Sequence, residues 1–170
     1  MRKTDRDRDF AVFVAEAGPR LRRAAYLLTH HHQDAEDLLQ GVLVKAYVAW
    51  PTVRRAEAFA YVSRALVNGY IDQRRKHDRV TVTDQVADTP VEPDHTVEDR
   101  TRLVRLLEPL SERERAMVVL RYYLDHSEAD VATELGVSVG TVKSTSSRAL
   151  SRLRAGALSH TPDTDEGTPR

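Results

Sequence analysis

From Ser138 to Ala155 the chain carries Lys143, Arg148, Arg152 and Arg154 and no acidic residue. Drawn as a helix, this stretch puts Val142, Ala149, Leu150 and Leu153 on one side. Thr141, Ser144, Thr145, Arg148 and Arg152 then fall opposite, at i, i+3/i+4, i+7 and i+11, with Lys143 and Ser147 adjoining. Hydroxyls and guanidinium groups on one helical face suit phosphate oxygens and base edges in a major groove. The competing reading of the same charges is a solvated basic face.

A second ridge of functional side chains lies earlier. Arg64, Asn68, Asp72 and Arg75 recur at i, i+4, i+8 and i+11, with Arg74 and Lys76 beside them. An amide, a carboxylate and guanidinium groups on one ridge can bond bases and hold backbone phosphates. A salt-bridged surface helix would look the same.

The elements that must position these groups read as helices. Ala132, Gly136 and Val142 stand in the spacing Ala-x3-Gly-x5-Val, between candidate caps Ser127 and Ser138. A helix-turn-helix needs a small residue at the crossing, a glycine able to take positive φ in the turn, and a branched apolar anchor. Two further helices are expected ahead of this pair. One runs from about Val97 to Leu107, and the other opens on the capping box Ser111–Glu114. In the first half, the pattern Phe10, Val14, Leu21, Ala25, Leu28 predicts a helix over Asp7–Thr29, kinked or broken at Gly18-Pro19. Asp34 is expected to cap a second helix burying Leu39, Val42, Leu43, Ala46 and Trp50, which must end before Pro51. A third buries Phe59, Val62, Leu66 and Tyr70. The fold class is therefore all-α: two small helical domains, 7–76 and 97–155, joined by a flexible acidic linker over 77–96. A weak Val80–Thr83 alternation is the only strand-like pattern, and the tail 156–170 is expected to be disordered.

Charge follows that division. The formal net charge is zero, yet residues 1–77 hold 14 Lys/Arg against 9 Asp/Glu, and 100–155 hold 10 against 7. Residues 78–99 hold one Arg against 7 acids. Two basic blocks on an acidic tether suggest two polyanion-binding modules. The absence of cysteine rules out disulfides and thiolate metal sites. No apolar run reaches the length of a membrane span, and Met1-Arg2-Lys3-Thr4-Asp5 has no signal-peptide core, so a cytoplasmic protein without membrane insertion is expected.

The segments "DAEDLLQ" (Asp34–Gln40), Trp50, "NGYIDQRRK" (Asn68–Lys76) and "SEADVATELGVSVGTVKSTSSRALSRLR" (Ser127–Arg154) resemble the extracytoplasmic-function (ECF) sigma factors of the sigma-70 family. The likeness spans about Phe10–Lys76, as region 2, and Val97–Arg154, as region 4. It implies a promoter-reading subunit without catalytic residues, cofactor or metal, whose partners are core RNA polymerase and promoter DNA, with an anti-sigma factor as a further partner. It places Asp37, Gln40 and Val44 on the polymerase clamp. Arg64, Asn68, Asp72, Arg74 and Arg75, with the Pro51–Ala56 loop, fall at the −10 element. Thr141, Lys143, Ser144, Thr145, Ser147, Arg148 and Arg152 fall at the −35 element. Gly41 departs from the family's helix formers at that position, and Thr145 stands where arginine is common.

Two other readings compete. A stand-alone helix-turn-helix regulator explains Ser127–Arg154 but gives no role to "AEDLLQ" or the Asn68–Arg75 ridge. An enzyme or metal protein could be built on His30, His31 and His32. However, adjacent residues point apart, and no HExxH spacing accompanies them. Asp34, Glu36 and Asp37 suit a helix N-terminus better than an acid–base pair.

Overall fold

The computed structural model describes residues 3–80 and 102–158, and every regular element among them is helical. The expected linker and tail fall largely outside the described residues, as do 97–101 and the Thr81–Thr83 part of the strand-like alternation.

Helix α1 runs unbroken over Lys3–Thr29 with Pro19 inside it. The expected break at Gly18-Pro19 does not occur. Proline removes one amide from the ladder and frees the carbonyl four residues back. Pro19 and Ala15 are both on the exposed side, where water can take that carbonyl, while Leu21, Ala25 and Leu28 stay buried. At its N-terminal half, Phe10 and Phe13 pack on Trp50 with ring centroids 4.9 and 5.0 Å away, and the Trp50 indole donates to Asp9 at 2.8 Å.

Helix α2 spans His32–Ala49 and starts earlier than expected. Asp34 lies inside its first turn, and the residue at the cap is His31, whose side chain makes no capping bond. The turn is tighter than the sequence suggests because His30 adopts a left-handed φ of 61°. The Thr29 hydroxyl, donating to Ala25 O at 3.0 Å, helps hold it. Ala35, Leu38, Leu39, Val42 and Ala46 face inward, and Leu43 is half-buried. After two short 3-10 turns, α3 runs over Ala58–Val80, past the residue 76 boundary expected from sequence.

In the second half, residues 102–107 form α4. Helix α5, Glu112–Val118, opens on the Ser111–Glu114 capping box and passes into a π-helical turn over Val119–Tyr123. Helix α6 is Glu128–Leu135 and α7 is Val139–Leu158. The two halves pack against each other along one seam. Arg115 donates to Leu28 O at 3.0 Å, at the C-terminus of α1, while Arg20 donates to Tyr123 O at 2.8 Å in the opposite direction.

Candidate nucleic-acid interface

Helices α6 and α7 form the expected helix-turn-helix. Ser127 accepts from Asp130 N at 3.1 Å to start α6, and Gly136 ends it at φ 62°, ψ 43°. The amides of Val137 and Gly136 bond back to Ala132 O at 2.9 Å and Thr133 O at 3.3 Å, the paired pattern that closes a helix through a left-handed residue. Ser138 then accepts from Thr141 N at 3.1 Å to start α7. Ala132 and Val142 are buried, as the spacing requires.

The outer face of α7 exposes Thr141, Lys143, Ser144, Ser147 and Arg148. Thr145 is half-buried, and Ser146, which the sequence reading did not single out, is buried with no bond to its hydroxyl. Two predicted DNA contacts already have partners. Arg152 pairs with Glu114 on α5, and Lys143 lies 3.7 Å from Glu128. Burial of Glu114 opposes its ionisation, but the Ser111 bonds and Arg152 outweigh it and hold the carboxyl below its ordinary value. Arg152 thereby ties α7 to the α5 cap.

The α3 ridge is only partly open. Asp72, Arg74 and Arg75 are exposed, whereas Arg64 and Asn68 are half-buried. Asn68 donates to Glu134 of α6, and Arg74 pairs with Glu112 of α5. Arg64 lies close enough to Asp130 of α6 to help hold that carboxyl low, after the Ser127 hydroxyl that bonds it directly. A groove of about 400 Å³ runs between the ridge and these acids, with Asp72 and Arg75 on one wall and Glu112 and Glu134 on the other.

Beside the ridge, Ser63 and His126 are buried and meet across the seam, Oγ to Nε2, at 2.7 Å. Burial, then the nearby Arg64, push the His126 pKa below 6.5. Sequence reasoning missed Arg20, Ser63, Arg115 and His126. The bonds that join them across the seam span 63 to 103 positions, Arg115 adding one to Tyr70 45 positions back, and no local pattern marks them.

On α2, Asp37, Gln40 and Val44 share one exposed strip, and Val48 extends it. Val44 is 65% and Val48 72% exposed, so the strip ends in apolar surface. Asp37 accepts from Gln33 at 3.0 Å. The three histidines do not gather: no cluster able to hold a metal ion occurs among the described residues. His30 instead turns inward, where burial and then Arg115 lower its pKa to about 4. No described helix is long and apolar enough to cross a membrane.

Two family models match the chain: sigma-70 region 2 over residues 13–80 and sigma-70 region 4 over 100–153. The RNA polymerase sigma-E factor of Streptomyces coelicolor is 37% identical over 151 residues, covering 86% of this chain and 84% of that one. The ECF RNA polymerase sigma factor SigL of Mycobacterium tuberculosis is 36% identical over 144 residues, covering 78% and 79%. The chain belongs to the ECF sigma factors of the sigma-70 family. Its fold agrees with theirs. The sigma factor RpoE of Bartonella quintana, solved in complex with the anti-sigma factor NepR, superposes with a TM-score of 0.69 at 27% identity, over 90% of this chain and 99% of that one. A second solved structure, CnrH in complex with the cytosolic domain of CnrY, has a TM-score of 0.64 at 23% identity and supports the fold alone. The match to a region 2 ahead of the helix-turn-helix disfavours a stand-alone regulator.

Proposed function

We propose that this sigma factor directs core RNA polymerase to promoters by binding work alone, through three surfaces. The exposed α2 strip of Asp37, Gln40 and Val44 docks on polymerase. The α3 ridge of Arg64, Asn68, Asp72, Arg74 and Arg75 holds the −10 strand. The outer face of α7 reads the −35 element through Thr141, Lys143, Ser144, Thr145, Ser147 and Arg148, with Arg152 holding that helix against α5. The supporting observation is the α6–α7 unit itself: a glycine-closed turn presents an acid-free helix face to solvent.

On this reading the chain is not an enzyme, uses no cofactor or metal, and works in the cytoplasm. Phosphate contacts set its register, and side chains reaching base edges set sequence preference. An anti-sigma factor is a further proposed partner, in keeping with the Bartonella quintana neighbour solved in complex with the anti-sigma factor NepR. A gel shift with a promoter fragment tests the division of labour. The chain with core polymerase should retard the fragment, and the chain alone should retard it poorly. Tight binding by the chain alone would favour a stand-alone regulator.

A further inference from the structure

The outer face of α7 carries no acid of its own, yet one carboxylate reaches it from α6. Glu128 opens α6 beside the Ser127 cap and is half-buried. Its two oxygens serve different cations. Oε1 lies 3.9 Å from Arg121 Nη2, and Oε2 lies 3.7 Å from the Lys143 ammonium. Arg121 is anchored in turn: it donates to His126 O, and its guanidinium stands over the Tyr122 ring at 5.6 Å. A carboxylate backed by a fixed guanidinium and by the positive end of a helix is held in place. Lys143, whose side chain is 64% exposed, is the member of the trio that can leave.

We propose that Glu128 is a specificity-determining residue, which tethers Lys143 and so withdraws it from sequence-blind phosphate contacts. The inference rests on the assignment of the α7 face to the −35 element. Phosphate contacts supply nearly all the affinity for unrelated DNA and carry no sequence information. On such DNA the register is free, so an untethered lysine can find a phosphate in many placements. At a matched −35 element the base contacts of α7 fix the register, and Lys143 meets only what lies opposite it. The tether therefore weakens binding to unrelated DNA more than binding to the matched element. An exposed ion pair is weak and screened by salt, so the effect is several-fold rather than orders of magnitude. It also has a salt signature. Each phosphate neutralised by a lysine releases condensed counterions, and a lysine already facing a carboxylate adds less to that release.

The test uses the full chain bound to core polymerase. One DNA fragment is selected from a promoter library by the wild-type complex, and a second is the same fragment with its −35 block scrambled. Anisotropy titrations across a salt series read both affinities. Glu128→Gln, which keeps the side chain's shape, should tighten binding to the scrambled fragment about threefold and to the matched one by less than about twofold. On the scrambled fragment the slope of log affinity against log salt should steepen by about 0.9, the share of one phosphate contact. Lys143→Ala should erase both changes, so that the double variant behaves as Lys143→Ala alone. Equal gains on both fragments would overturn the proposal, as would gains that survive Lys143→Ala. Unchanged or weakened binding by Glu128→Gln would overturn it too. If the wild-type complex binds both fragments equally well, the −35 assignment itself fails, a result distinct from failure of the tether.

Discussion

Two surfaces of the first half are assigned to partners, and the fold treats them oppositely. The α2 strip stands open, ending in Val44 and Val48, each well over half exposed. The α3 ridge is partly covered: Asn68 and Arg74 are already bonded to acids from α6 and α5, while Asp72 and Arg75 stay exposed. On the proposed assignment, polymerase meets a bare strip, whereas a DNA strand meets side chains some of which are already engaged. On the same assignment the chain alone should bind promoter DNA poorly, since ridge contacts must first displace intramolecular ones.

The largest expected effect breaks the open side of this comparison. Val44→Asp puts a charge into an apolar contact without disturbing the fold, because Val44 packs on little of the chain. An unpaired interfacial charge costs about 2–5 kcal/mol, so core-polymerase affinity measured by fluorescence anisotropy should fall at least tenfold while the unfolding midpoint holds. Unchanged affinity would remove α2 from the docking surface. Arg115→Ala acts on the covered side. It removes the donor to Leu28 O and Tyr70, a loss of roughly 1–3 kcal/mol, and should raise hydrogen exchange along the seam. Exchange unchanged at the α1 C-terminus would show that the pin carries no load.

Acid should loosen the covered side next. His126 is held below its ordinary pKa by burial, then by Arg64 of α3, with Arg20 of α1 adding and Asp130 and Glu134 of α6 opposing. His30 is held at about 4 by burial and by Arg115 of α5, with Arg74 of α3 adding. Both imidazoles bind protons less readily in the closed fold than when released. Closed-state stability is therefore fully present above pH 6.5 and is lost as pH falls below it, by up to about 1.4 kcal/mol per unit for each group. A denaturant midpoint equal at about pH 7.5 and pH 5.5 would contradict this. The smallest effect sharpens the open side. A Cβ at Gly41 meets nothing within 4 Å, so Gly41→Ala should stabilise α2 by about 1 kcal/mol, read as a rise in unfolding midpoint.

What the sequence made legible was local. The caps at Ser111, Ser127 and Ser138 and the left-handed Gly136 each act within four residues, and each stands where expected. The α2 strip was legible for the same reason, since helical spacing alone puts Asp37, Gln40 and Val44 together. The seam was not legible. Arg115 directly follows the Ser111–Glu114 capping box in a run of charged residues, where nothing distinguishes a pin from a solvated side chain. His126 meets Ser63 only because the two halves pack together. Pro19 misled in the other direction: proline weakens a helix by local rule, but burial along the rest of α1 overrides it. The cap expected at Asp34 failed because His30 takes a left-handed conformation, which histidine adopts more readily than most residues but which its type alone does not dictate, and α2 then starts at His32.

The most direct test of the account is reconstitution with sigma-free core RNA polymerase on a library of promoter fragments. The account predicts transcripts from a defined subset of fragments that appear only when the chain is added. A chain that neither co-purifies with the polymerase nor changes which fragments are transcribed would contradict it.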